Sequence, residues 1–358
     1  MIASPGIDLV KHSIRAASMY FYGSLARDAS IQAEACKWYS TSLRGLRCLL
    51  SQKNPNLTDR VICATVMLTH FENLVGTHRG WLQHVQAAAK MLEMSGPRNC
   101  VDGFLHQIFR HLRILAFAGA MIKSEQHVFA SRAWKTIPFE IHPKTAFDHC
   151  VDILFSILPC LSMAERLTQS SAGESDDLVT ELSKMISELL SQLHAWWAQC
   201  MSIPGPLEAN AAEWCNTSKI PAKDQYHEPS HFPMIPHLDM PTAALGSLYD
   251  AANIVVLQLL HLVSPHAYLY EERIQRHVES ILSAKEYIAA IPGPASGRGL
   301  LMLDFPLQIL DTWSGQLKAT TKDSSQTGNP PWDHGSVDSP PELFGHVAFA
   351  IFNSSSTA

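Results

Sequence analysis

The chain has 358 residues, a hydrophobic fraction of 46% and a charged fraction of 17%, enough apolar material for a large core or two smaller ones. A net charge of −6 and a pI near 6.3 argue against a chain that grips DNA by itself, which should present a basic face. No apolar run is expected to reach the ~18 residues of a membrane span, and the start "MIASPGIDLVKHSIRAA" lacks the charged head and apolar block of a secretory signal.

In chain order, the periodicity is helical almost throughout. Val61, Ala64, Leu68, Phe71 and Val75 step by three and four, with Thr58 or Asp59 placed to cap the start. Trp81, Val85, Ala88 and Leu92 repeat that step until Gly96-Pro97 ends it. Leu105, Ile108, Leu112, Leu115, Gly119 and Ile122 form the next stripe. Leu178, Leu182, Met185, Leu189, Leu193 and Trp196 follow the acidic opening "GESDD", which suits a helix dipole. Two more stripes run through Leu245–Leu262 and Ile274–Ile288. No comparable strand alternation appears, and no strict repeat of 33 to 47 residues. The expected fold is therefore all-α, an array of antiparallel helices packed as an irregular bundle or superhelix. One helical domain is expected over 1–318, with a Pro-rich loop at about 202–241 that holds seven prolines, and a low-complexity tail over 319–358.

The loop contains the most chemical-looking stretch, "YHEPSHFPMIPH" at 226–237. His227, Glu228, His231 and His237 reproduce the H-E-x-x-H ligand pattern of a zinc hydrolase with its third histidine. That pattern needs a helix, because only 3.6 residues per turn brings both imidazoles to one metal. Pro229 stands between them and would cost a helix interior ~3 kcal/mol. The stretch reads as a solvated loop, with the zinc hydrolase kept as an alternative. Eight cysteines, none in a C-x-x-C pair, read as reduced and mostly buried thiols. A phosphate-cradling glycine loop, a G-x-S-x-G elbow and a dinucleotide fingerprint are all missing from the sequence.

Particular residues recur in an informative order: Glu72 near the end of one helix, Trp81-x-x-His84, Gly96-Pro97, Phe109-x-x-x-Arg113, then Trp134 and Pro138. In that order and spacing the chain, from about residue 14 to about 313, resembles the C-terminal regulatory region of fungal-specific transcription factors. Those proteins carry a six-cysteine binuclear zinc cluster near their N-terminus. "LDMPTAALGSLYDAANIVVLQLL" and "LLMLDFPLQIL" resemble later segments of the same region. Ala87 departs from the family's usual glycine, and six closely spaced cysteines occur nowhere in these residues.

The resemblance implies a non-catalytic nuclear regulator of a fungal metabolic or secondary-metabolite pathway. It would act through other transcription regulators or coactivators, or by sensing a small-molecule effector, and would reach DNA only through a partner or a missing N-terminal module. Zinc would belong only to that missing cluster, and no membrane is implied. The nine motif residues are expected to be structural: Trp81 and Trp134 as core anchors, Gly96-Pro97 as a helix stop, and Glu72, His84 and Arg113 as one polar network between helices. A small-molecule sensor or carrier with an apolar interhelical pocket is the alternative.

Overall fold

The computed structural model describes residues 5–52, 58–170, 175–201, 239–264, 268–291 and 302–310. These residues are helical with no strand among them, as the periodicity predicts. The imitation zinc motif at 226–237 and the tail at 319–358 lie outside the described residues.

The chain divides into two compact units. In the first, α1 (Pro5–Ala26) and α2 (Ala29–Leu50) fold back on each other across a two-residue turn. Arg27 takes a left-handed φ of 53° there, and Asp28 caps α2 by accepting from the Ser30 and Ile31 amides at 2.8 and 3.2 Å. Ala16, Ala17 and Ala35 let these helices approach closely, and Phe71 of α3 (Asp59–Val75) packs against the same cluster. Helix α3 ends at Gly76, whose φ of 83° only glycine adopts freely; its amide and that of Thr77 bond back to Glu72 O. That stop turns the chain directly into α4 (His78–Ser95).

Helix α4 buries Trp81, Val85, Ala88 and Leu92, the stripe read from the sequence, and ends at Gly96 with φ 82°. Pro97 opens a 3-10 turn, Pro97–Cys100, so the expected helix stop is present. Helix α5 (Gly103–Ile122), whose last turn belongs to the second unit, brings Gly119 against Leu82 and Val85 of α4. Short helical turns at 128–130 and 137–139 flank the one-turn α6 (Arg132–Thr136).

In the second unit, α7 (Ala146–Leu154) starts with a capping box between Thr145 and Asp148, followed by α8 (Ile157–Gln169) and α9 (Ser175–Met201). Helices α10 (Met240–Val263) and α11 (Tyr268–Ala290) complete it, with a helical stretch at 304–310. Trp196 of α9 donates its indole N–H to Ala146 O at 3.1 Å, meeting the demand a buried indole makes.

Helix α10 packs against α7, α8, α9 and α11, and every residue from Thr242 to Leu259 is buried. This corrects one sequence expectation. Two stretches, 146–169 and 240–263, do have the length and mean hydropathy, 1.4, of a membrane span. In the second of these, 94% of the apolar window lies inside the protein. A helix enclosed on all sides is apolar on all sides, and hydropathy does not separate that case from immersion in lipid. The other stretch is two helices, broken at 155–156.

Seven free cysteines fall among the described residues. Cys100, Cys150, Cys160 and Cys200 are buried, Cys63 is half-buried, and Cys36 and Cys48 are exposed. Burial pushes the Cys100 thiol up to about 12, so it is an inert packing group.

Candidate functional site

Among the described residues, each unit holds a buried carboxylate with a histidine beside it. In the first unit, Glu72 lies in the last turn of α3, and the Gly76 stop sends α4 back past its carboxylate. Tyr39 of α2 and the hydroxyl of Thr77 both donate to that carboxylate, one to each oxygen. The negative charge rests on the first turn of α4, where unpaired amides and the helix dipole favour it.

The carboxylate also lies close against α4 at Gly80. A Cβ on Gly80 would lie 2.5 Å from Glu72 Oε2, a separation that real Cβ atoms do not show. A side chain at 80 would push the Glu72 carboxylate away from Tyr39 and Thr77, a second use of glycine distinct from the turn at 76.

His84 completes the centre, its Nε2 3.3 Å from Tyr39 Oη and 3.9 Å from Glu72 Oε1. Tyr39 has one proton and gives it to the carboxylate, so the phenol oxygen accepts from His84 Nε2–H and the imidazole tautomer is fixed. Burial, joined by the charge of Glu72, raises the Tyr39 phenol above its ordinary range. Burial also holds His84 down to about 4, so its ring is neutral at pH 7. The arrangement is a closed relay from His84 through Tyr39 to Glu72, with Thr77 on the far oxygen.

The sequence grouped Arg113 with Glu72 and His84, and the structure separates it. Arg113 is fully buried in α5 with its guanidinium over the rings of Phe109 and Phe139, at 5.7 and 5.2 Å. It makes no hydrogen bond or ion pair with Glu72 or His84. The reason is helical phase: Phe109 and Arg113 are one turn apart and share a face of α5. That face meets Phe129, Trp134 and Phe139, with Trp134 5.2 Å from Phe109 and 4.8 Å from Phe129. Pro138 is buried in the same turn as Phe139. Trp81 is 4% exposed and Trp134 3%.

The centre in the second unit was not read from the sequence. Asp250 of the enclosed helix α10 accepts from His277 of α11, Nδ1 to Oδ1, at 2.7 Å. Its other oxygen, Oδ2, is buried with no hydrogen-bond partner. Tyr249 stacks on Trp197 at 5.1 Å with a 16° interplanar angle and meets the His277 ring edge-on at 6.0 Å. Burial pushes the Tyr249 phenol up, and the Asp250 charge adds to that rise. Asn253, one turn on, donates to Tyr249 O at 2.8 Å, while its Oδ1 has no partner. One signal was available: Asp250, Asn253 and Gln258 interrupt an otherwise unbroken apolar helix, "LYDAANIVVLQLL". For the first centre, Gly80 stood beside the quoted Trp81, but nothing local pointed to Tyr39 or Thr77.

Among the described residues, no group of three or more His, Cys, Asp or Glu side chains converges as a metal site. Comparison with known proteins places the chain. The sequence profile of the fungal specific transcription factor domain matches residues 4–309, and the chain belongs to that family, a regulatory domain of transcription factors. The uncharacterized protein AN5342 of Emericella nidulans is 25% identical over 130 residues, which is 36% of this chain and 28% of that protein. The aligned chain thus spans little more than a quarter of that relative's length. No solved structure matches the chain.

Proposed function

We propose that this chain, as a member of the fungal-specific transcription factor domain family, is a nuclear regulator of a fungal metabolic or secondary-metabolite pathway and performs no catalysis. It acts through other transcription regulators or coactivators, and DNA contact comes from such a partner or from a module outside these residues. One observation carries this reading: the family match over residues 4–309 takes in both units and both polar centres. The net charge of −6 agrees with indirect DNA contact. The test tethers the chain to a promoter through a heterologous DNA-binding domain in a fungal host. Reporter output should change, and the chain alone should shift no duplex at physiological salt. Unchanged output, or tight sequence-selective binding by the chain alone, defeats the proposal.

A second reading, effector sensing, rests on Asp250. A buried carboxylate oxygen with no partner carries the full cost of its lost hydration. A ligand that donates hydrogen bonds, such as a protonated amine, would repay that cost, with the Trp197–Tyr249 stack supplying an apolar and cation-attracting wall. The screen is a thermal-shift panel of small amines, since a ligand bound only by the native state raises Tm. A hit should vanish in Asp250→Asn. If every hit survives that change, the second reading fails.

A further inference from the structure

We propose that His106 and His142 form a binding site for one divalent transition-metal ion, with Zn2+ the best fit, in the first unit where buried His106 meets half-exposed His142. The site is independent of both polar centres described above. His106 lies in the second turn of α5 and is 1% exposed. Its Nδ1 sits 2.9 Å from Cys100 O. A carbonyl only accepts, so Nδ1 carries the proton and Nε2 carries the in-plane lone pair. That Nε2 is buried with no hydrogen-bond partner.

His142 stands beside it, the two ring centroids 5.0 Å apart. Its Nε2 is 2.7 Å from Asp102 Oδ1, an oxygen that also accepts from the Gly103 amide at 2.6 Å. The carboxylate is an acceptor too, so Nε2 carries the proton of His142 and Nδ1 carries its lone pair. Two neighbouring imidazoles thus each commit one nitrogen to an orienting oxygen and keep the other as a lone-pair donor. This is the outer-shell support that metal-bound histidines receive, one from a backbone carbonyl and one from a carboxylate. Neutral imidazole favours zinc, copper, nickel and cobalt over magnesium or calcium.

The His142 side chain is 47% exposed and that of Asp102 67%, so an ion approaches from that side and must part the packing that covers His106 Nε2. Two protein ligands leave water to complete a tetrahedral sphere. His70 and His111 offer a contrast within the same unit. Their Nε2 atoms lie 2.8 Å apart, so the proton of one ring is spent on the lone pair of the other and no ion is needed. At His106 the lone pair is unspent. The bound ion would clamp residue 142, at the end of the excursion that carries α6, onto the start of α5.

The experiment uses the full chain without an affinity tag, with His227, His231 and His237 replaced by alanine so that the proline-rich stretch contributes nothing. Zinc is titrated in competition with a chromophoric chelator at pH 7.5. One equivalent should bind, and zinc should raise Tm. His142→Ala should abolish both effects, and Asp102→Asn should weaken binding about 10-fold or more. His142→Gln keeps a hydrogen-bonding group toward Asp102 but removes the ring lone pair; it should also lose zinc while keeping the parent circular dichroism spectrum. The proposal is overturned by no uptake in the parent, by unchanged affinity in either His142 variant, or by a loss that follows His111→Ala instead.

Discussion

Glu72 in the first unit and Asp250 in the second are both buried carboxylates with a histidine beside them, and they are served differently. Glu72 has a donor on each oxygen and a helix N-terminus behind it, and the residue it lies against at position 80 is glycine. Asp250 has His277 on one oxygen and nothing on the other. A closed network contributes rigidity, because removing any member strands the others. An open one leaves a binding demand unmet. The difference sets a lock holding α2, α3 and α4 in register against a centre on α10 with one unmet acceptor.

The largest effect should come from Glu72→Ala, which leaves the half-buried Tyr39 hydroxyl without its acceptor and empties the charge site. A loss of about 3 kcal/mol is expected in urea denaturation. A loss under about 1 kcal/mol would mean the network is no lock.

Next comes acid. The folded-state value for His84, about 4, lies below its ordinary 6.5. The unfolded chain therefore binds the extra proton first as pH falls. The contribution from the neutral ring is complete above about 6.5 and drains away as pH drops toward 4, amounting to something on the order of 2 kcal/mol. His127, held down to about 4 by burial despite the opposing charge of Glu93, adds to the same window. Stability followed from pH 7.5 to 4 should fall more steeply in the parent than in His84→Asn.

Gly80→Ala should cost about 2 kcal/mol through the collision of its methyl group with the Glu72 carboxylate. Combining it with Glu72→Ala should recover most of that cost, and simple additivity of the two losses would show that the close approach is not what excludes a side chain. The smallest effect belongs to Asp250→Asn. It keeps an acceptor for His277 and removes an unsolvated charge, so stability should stay within about 1 kcal/mol of the parent. If this change costs as much as Glu72→Ala, the two centres are alike and the contrast between them collapses.

Helices such as α4 were legible because the buried face is written in the helix's own residues. Trp81, Val85, Ala88 and Leu92 need only the 3.6-residue period to be placed together. Gly96-Pro97 was legible because φ near +80° and a missing N–H act within one turn. Grouping Arg113 with Glu72 and His84 failed because charge alone does not say which helix face a residue occupies; Arg113 follows Phe109 into an aromatic cluster. The span-length apolar run at 240–263 was in the sequence and was missed, whereas the enclosure of α10 by four neighbouring helices is a tertiary fact.

The sequence by itself determined that the described residues are helical, where α4 stops, and which family the chain belongs to. Those properties rest on periodicity, on backbone stereochemistry and on residue order, all of them local along the chain. Only the tertiary structure decided which polar atoms are satisfied. Tyr39 reaches Glu72 across 33 residues and His277 reaches Asp250 across 27. A hydrogen bond is a matter of ångströms between atoms, and no spacing along the sequence fixes a distance between two separate helices.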